Sequence, residues 1–261
     1  MTHVKTPAVA GLFYPESPRE LRSAVQDLIS GATAAETERP HALIAPHAGY
    51  RYSGPIAASA YATLRPWAAQ IRRVAVLAPS HRVAFRGIAT SGADAFRTPL
   101  GDIPVDRTAL DELERLPAVG RLDQAFAEEH ALEVQLPFLQ DVLDAFTLVP
   151  LIVGDADSAE VSRVIERLER DDTLIVVSSD LSHYHDYRSC QQRDRETTAH
   201  IEEMQGDAIG PYDACGAYPI RGLLKSALQH GWRVRTLDLR NSGDTSGDRS
   251  RVVGYGAYAF Y

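Results

Sequence analysis

The sequence has little that would tie it to a membrane or to an oxidising compartment. Its only cysteines are Cys190 and Cys215, too few for a disulfide framework, and this indicates a reducing, cytoplasmic location. Pro7, Gly11 and Pro15 interrupt the N-terminal segment, so it lacks the apolar core of a signal peptide. No apolar run reaches the roughly 18 residues of a transmembrane helix, which predicts a protein without a membrane span.

Positive charge is also scarce. The chain has 27 Lys and Arg against 35 Asp and Glu, a net charge of -8. An acidic surface repels phosphate backbones, so we expect no nucleic-acid partner and no anchoring to an anionic membrane. With 44% hydrophobic and 24% charged residues in 261, the chain has the balance of one globular domain spanning 1–261. Segment 31–40 resembles a short linker, and we place no domain boundary on it.

Strand-like and helix-like segments alternate along the chain. Strands are predicted at 41–45, 73–78, 147–153, 172–179, 232–239 and 251–261, with short strands and turns between 87 and 105. Helices are predicted at 18–29, 54–64, 108–116, 127–143, 157–170, 188–204 and 218–230. This alternation favours an α/β fold with a central sheet and helices on both faces.

Three of the predicted strands are each followed by a histidine. His47 follows the strand at 41–45, His81 follows 73–78, and His183 follows 172–179. A single histidine after a strand is most often a turn or surface residue. In open α/β sheets, however, ligands bind beyond the carboxyl ends of the strands, on loops that the sheet holds in place. If the three strands are parallel neighbours, their imidazoles converge on one crevice.

Cys215 lies just before the predicted helix at 218–230. A thiol near a helix N-terminus is expected to have a lowered pKa, and the thiolate is the species that binds metal. The alternative is a small buried filler, since free cysteine is among the most buried residue types. Cys190, at the start of a polar helix, is interpreted as a packing or surface residue.

Acidic partners for the histidines are also present. His130 and Glu133 are three residues apart in the predicted helix at 127–143, so they would share one helix face. We interpret them as a salt-bridge pair or as residues behind the ligands, because the second histidine of a zincin motif is missing. Asp180, just before His183, could orient a metal-bound imidazole, as carboxylates commonly do.

Several sequence blocks resemble one known family. These blocks are AGLFYP (10–15), PHAGYRYSG (46–54), APSHR (78–82), EEHALEVQLPFLQ (128–140), SSDLSH (178–183), CGAYPI (215–220) and SGDRSRVVGYGAYAF (246–260). Together they resemble the Memo-like family, whose bacterial and archaeal members are called AmmeMemoRadiSam system protein B. The resemblance implies an α/β fold like that of the class III extradiol dioxygenases.

The resemblance also implies a metal site formed by His47, His81, His183 and Cys215. By analogy with the dioxygenases, His47 and His81 would be ligands and His183 the acid or base beside the substrate. Cys215 would stand where those enzymes use a carboxylate. A thiolate is softer than a carboxylate and favours iron, copper or zinc over magnesium or calcium.

Several functions fit these residues. The first is an iron- or copper-dependent oxidoreductase acting with a radical SAM protein and an AMMECR-type protein, partners that the family name implies. The others are a zinc-dependent hydrolase, a non-catalytic module that binds a peptide, small molecule or partner, and a nucleophilic pair of Cys215 and His183.

Overall fold

The fold was analysed in a computed structural model that describes residues 2–32 and 38–261. The β-strands are β1 Val4–Lys5, β2 Ala42–Ala45, β3 Arg73–Pro79, β4 Ile88–Thr90, β5 Ala95–Thr98, β6 Gly101–Pro104, β7 Val119–Arg121, β8 Thr147–Val153, β9 Thr173–Ser178, β10 His183–His185, β11 Val234–Asn241 and β12 Val252–Phe260. Positions 33–37 of the segment resembling a linker lie outside the described residues.

The α-helices begin and end close to the predicted positions in most cases. They are α1 Pro18–Gly31, α2 Tyr50–Tyr61, α3 Arg107–Leu113, α4 Gln124–Ala127, α5 Leu136–Val142, α6 Ser158–Leu168, α7 Tyr187–Glu202, α8 Ala217–His230 and α9 Ser242–Ser246. Short 3-10 helices occupy Ala62–Trp67, Glu133–Gln135 and Gly206–Ala208. The helices of the described residues are too short or too polar to cross a bilayer.

The ends of several helices follow from local chemistry. Ser17 accepts a hydrogen bond from the Glu20 backbone N–H and so caps α1. Asp157 and Glu160 form a reciprocal capping box at α6. Gly231 ends α8 in the left-handed conformation, with φ of 69°. The helices predicted at 18–29, 157–170 and 218–230 are therefore confirmed, with ends within about two residues of those predicted.

The main sheet is mixed and has the order β10-β12-β2-β9-β3-β8-β4-β7, with β11 also paired to β12. The central strands β2, β9, β3 and β8 run parallel and are almost wholly buried. Strands covered on both faces are nearly continuously apolar, which explains their Val-, Ile- and Leu-rich sequences. Strands β1, β5 and β6 form a second, smaller sheet.

Helices flank both faces of the main sheet. Successive residues of a strand point to opposite faces. On β12, the hydroxyl of Tyr258 contacts Thr198 of α7 at 2.7 Å, whereas Tyr255 lies near Tyr52 of α2. Helices α6 and α8 pack on each other, and α8 contacts β3 and β9. The predicted α/β class, with a central sheet between helices, is therefore confirmed.

Helices α6 and α8 are in contact at Gly222. A Cβ placed on Gly222 would lie 2.2 Å from the Cβ of Val161 on α6, a distance that the two helices cannot accommodate without moving apart. We therefore expect Gly222→Ala to lower the free energy of unfolding by about 1–3 kcal/mol, the range for overpacked cores. Urea denaturation measures this. Gly120→Ala is the matched control, because a Cβ there meets nothing within 4 Å; equal stability of both variants would contradict this account of the helix contact.

Candidate metal centre

The carboxyl ends of three neighbouring parallel strands deliver histidines to one place. Strand β9 lies between β2 and β3 and runs parallel to both, so the condition on which the convergence of the histidines depended is met. His47 and His81 follow closely after β2 and β3, and His183 begins β10 beyond the end of β9. The short loops leave these side chains little freedom to diverge, because their strands are fixed in register.

Three imidazoles converge at this edge of the sheet. His47, His81 and His130 each offer a ligand atom, and these atoms lie within 4.8 Å of one another. The ring centroids are 5.2 Å apart for His47 and His81, 5.5 Å for His47 and His130, and 5.0 Å for His81 and His130. His47 is buried, whereas the side chain of His81 is 29% exposed. The group therefore opens toward solvent on the side of His81.

His130 reaches the group from a turn, so the N-terminal half of the predicted helix at 127–143 is wrong, whereas α5 confirms the C-terminal half. Helix α4 ends at Ala127, a 3-10 helix spans Glu133–Gln135, and α5 begins at Leu136. Proline lacks the backbone N–H that a helix interior requires, so a helix that begins before residue 133 is not expected to run through Pro137. Pro137 instead occupies the first turn of α5, where that N–H is not needed. His130 and Glu133 therefore do not share a helix face. The ring of His130 packs against Phe13 at a centroid distance of 4.8 Å.

Glu133 binds the N-terminal segment of the chain. Its carboxylate accepts hydrogen bonds from the backbone N–H groups of Ala8 and Val9, at 2.6 and 3.0 Å, and from the hydroxyl of Tyr14 at 2.6 Å. The side chain is buried. It holds the N-terminal segment against the protein, and through Phe13 that segment covers one side of His130.

Glu129 is the acidic residue that contacts the histidines, and sequence reasoning missed it. Its carboxylate accepts from the backbone N–H and the ring Nδ1 of His81, at 2.7 and 2.9 Å, and from the Ala131 N–H at 2.9 Å. Burial would raise the pKa of Glu129, but the bonds from His81 and Ala131 outweigh it and hold this pKa below its usual value. An ionised carboxylate can only accept, so Nδ1 of His81 donates and its Nε2 is left for a ligand.

Cys215 lies beside the histidines. Its Sγ is 3.2 Å from Nε2 of His47 and 3.3 Å from the backbone nitrogen of Asp180. Contrary to the expectation from the helix N-terminus, the pKa of Cys215 is raised by burial and by the charge of Asp180. The hydrogen bonds that it receives are too weak to offset burial. A bound cation reverses this balance, since a coordinating thiol loses its proton.

Asp180 and His183 complete the surroundings. Asp180 accepts from the backbone N–H of His47 at 2.7 Å, so it holds the loop and not the imidazole ring. Burial raises the pKa of Asp180 to about 7. His183 is half-buried, and burial lowers the pKa of its imidazole despite a hydrogen bond to the backbone of Leu181.

The imidazoles of His47 and His130 are held in the form that binds metal. Burial lowers the pKa of His47 well below its usual value, and nearby His81, His130 and His183 lower it further. Burial lowers the pKa of His130 to about 4. These rings are therefore neutral at physiological pH and keep a nitrogen lone pair for a cation.

The donor set fits a transition metal. Neutral imidazoles suit zinc, copper, iron and nickel, and a thiolate selects softer metals than a carboxylate does. Three imidazoles with an adjacent thiol, open to solvent on one side, make a site with three or four protein ligands and room for another. Among the residues that the structure describes, His47, His81 and His130 are the group that could hold an ion.

A comparison with protein families identifies the chain. The model of the Memo-like protein family matches residues 5–259. The chain belongs to the Memo-like family. The resemblance inferred from the sequence blocks is thereby confirmed, and the Memo-like match covers all the residues placed around the candidate metal centre.

Relatives of this Memo-like chain span nearly its whole length. It is 35% identical over 280 residues to a MEMO1 family protein of Methanopyrus kandleri, covering 98% of each chain. It is 33% identical over 265 residues to a MEMO1 family protein of Aquifex aeolicus, covering 97% of each. The crystal structure of an uncharacterized protein of Escherichia coli K12 superposes with a TM-score of 0.55 at 14% identity, covering 84% of this chain and 99% of that one. This last likeness concerns the fold alone.

Proposed function

We propose that this Memo-like protein is a metal-dependent oxidoreductase whose centre holds iron or copper. The observation that carries the proposal is the convergence of His47, His81 and His130, with ligand atoms within 4.8 Å, beside the thiol of Cys215. The thiol supports iron or copper, because sulfur ligands favour soft and redox-active metals. By the family resemblance, a radical SAM protein is the partner with which the centre acts.

The chain's own residues would bind the metal, orient its ligands and move a proton. Glu129 fixes the ring of His81, and Asp180 fixes the loop that carries His47. His183 lies outside the three-histidine group, and its lowered pKa leaves it neutral, so it can take a proton from a substrate bound at the open side. The metal, when bound, would supply the electron transfer that these side chains lack.

The first test is the metal content of protein purified without oxygen. We expect near-stoichiometric iron or copper by elemental analysis, a lower content in Cys215→Ala, and oxygen uptake by the loaded protein with a reductant. Cys190→Ala is the matched control, because Cys190 is buried against Asp194 and should leave the metal content unchanged. Zinc in place of iron or copper, or no oxygen uptake with any reductant or catechol, would contradict the oxidoreductase proposal.

A zinc-dependent hydrolase is the second candidate. The observation that favours it is the third imidazole, since three histidines and a water are a catalytic zinc arrangement. Glu133 is not available as the base of such an enzyme, because Ala8, Val9 and Tyr14 occupy its carboxylate, and this leaves His183. The hydrolase would work without oxygen and lose activity on chelation; activity that survives chelation would exclude it.

A further inference from the structure

We infer that Ser178 locks His47 into the tautomer with its proton on Nδ1, so that Nε2 presents its lone pair to the metal centre. Ser178 ends β9, and its register partner on β2 is Ala45, two residues before His47. The pairing of β2 with β9 therefore places both His47 and the Ser178 hydroxyl that contacts its ring. The metal-binding consequence rests on the proposed function, whereas the tautomer itself does not.

The first step is the orientation of the Gln135 amide. Its Nε2 lies 3.0 Å from the carbonyl oxygen of Pro46 and 3.4 Å from that of Ala45, and carbonyl oxygens can only accept. Its Oε1 accepts from the hydroxyl of Tyr61 at 2.7 Å. The amide nitrogen must therefore be the atom that faces Ser178, to which it donates at 2.7 Å.

The second step is the single proton of the Ser178 hydroxyl. Its Oγ lies 2.6 Å from the carbonyl oxygen of Ala131, which can only accept, so the proton is given there. Turning that proton toward His47 would leave two oxygens facing each other at 2.6 Å with no hydrogen between them. The hydroxyl thus donates to Ala131, accepts from Gln135, and has only an acceptor lone pair for a third partner.

That third partner is Nδ1 of His47, 2.9 Å from Oγ. Because Ser178 can only accept there, Nδ1 carries the hydrogen, and a neutral imidazole has only one. Ser178, Gln135 and His47 are all buried, so bulk water does not offer another arrangement. Nε2 is left unprotonated, 3.2 Å from Sγ of Cys215.

The opposite tautomer would aim an N–H at the position of the cation. Ser178 is therefore a positioning residue that acts through His47, as Glu129 acts through His81. Partners of this kind tune metal affinity, and their loss typically costs about 10–100-fold. Here a serine hydroxyl, which accepts from a glutamine, acts beside the serine's own backbone, which also hydrogen-bonds the His47 ring.

The test is nitrogen-15 NMR of histidine-labelled, metal-free protein, with His47→Gln to assign the His47 signals. We expect wild-type His47 to be protonated at Nδ1 and unprotonated at Nε2. In Ser178→Ala the hydroxyl acceptor is gone and only the backbone of residue 178 remains as a partner of the ring, so we expect a measurable share of the proton to move to Nε2, where Sγ of Cys215 can receive it. Protonation at Nε2 in the wild type, or an unchanged tautomer in Ser178→Ala, would overturn the inference.

A second variant tests the placement of the Ser178 and His47 protons without removing the Ser178 hydroxyl. Gln135→Met removes the amide donor but leaves Ser178 donating to Ala131, so His47 should keep its proton on Nδ1. A tautomer change in Gln135→Met would overturn the assignment of the Ser178 proton. The wild-type spectrum decides the inference even if a variant fails to fold.

Titration with Co²⁺ measures the consequence for metal binding. We expect Ser178→Ala to weaken Co²⁺ binding by about 10–100-fold. Ser162→Ala should bind Co²⁺ as the wild type does, because that buried serine contacts Glu166 and Gln229 away from the centre. An altered tautomer with unchanged affinity would overturn the metal-positioning role. Wild-type protein with the expected tautomer but no Co²⁺ binding would contradict the proposed function and leave the tautomer inference intact.

Discussion

Replacing His47 by alanine is expected to abolish tight metal binding while the protein stays folded. His47 is the buried member of the three-histidine group, and its Nε2 also faces the thiol of Cys215. Its removal leaves His81 and His130 as the imidazole donors of the group. Since the loss of a residue behind a ligand already costs about 10–100-fold in affinity, we expect the loss of this ligand to exceed about 100-fold.

Calorimetric titration and metal-dependent thermal unfolding both measure this effect. A ligand that binds only the folded state at 1,000 times its Kd stabilises it by about 4 kcal/mol, so metal should raise the Tm of the wild type. Metal should not raise the Tm of His47→Ala. His200→Ala is the control, because His200 lies on α7 and bonds Gln205. Equal metal affinity in His47→Ala and the wild type would place the centre elsewhere.

The sheet and its histidine loops could be predicted because their signals are local. Within the predicted strands, the runs at 42–45, 74–78 and 174–177 are apolar throughout, as is typical of strands buried on both faces. The histidine that follows each run needs no long-range information to be noticed. That the three strands are neighbours is a property of the folded sheet, where β9 lies between the other two.

The third imidazole could not be found from apolar periodicity. The pattern over 127–143 is helical in spacing, yet the chain turns between Ala127 and Glu133. Pro137 was the available signal, since proline inside a helix breaks it and proline in the first turn begins one. A prediction that began the helix at Leu136 would have placed Glu129 and His130 on a loop, where side chains can converge on a site.

Cys215 shows how burial can outweigh a local electrostatic rule. Its position before α8 predicted a lowered pKa, because helix N-termini favour anions. In the folded protein, burial and the neighbouring Asp180 raise it. Sequence alone identifies the helix end but not the depth at which the thiol lies, and desolvation of a charge is the larger effect.

Replacing Glu129 by glutamine is expected to cost both stability and metal affinity. The carboxylate accepts bonds from two groups of His81 and from Ala131, and an amide has only one oxygen with which to replace them. Hydrogen bonds to charged groups contribute about 1.5–3 kcal/mol each, so we expect a loss of about 2–3 kcal/mol in the free energy of unfolding. Without its partner, His81 loses a fixed tautomer, and metal affinity should fall by about 10–100-fold.

Glu128→Gln separates this effect from a general loss of negative charge. Glu128 is the exposed neighbour of Glu129, so the same substitution there changes the net charge equally without removing those bonds. Urea denaturation of the metal-free proteins reports the stability difference, and Co²⁺ titration reports the affinity. If Glu129→Gln lost stability but bound Co²⁺ as tightly as Glu128→Gln, Glu129 would support the turn and not the ligand. A loss of affinity larger than that of Glu128→Gln would instead show that the buried Glu129 carboxylate positions His81, the partly exposed imidazole of the group.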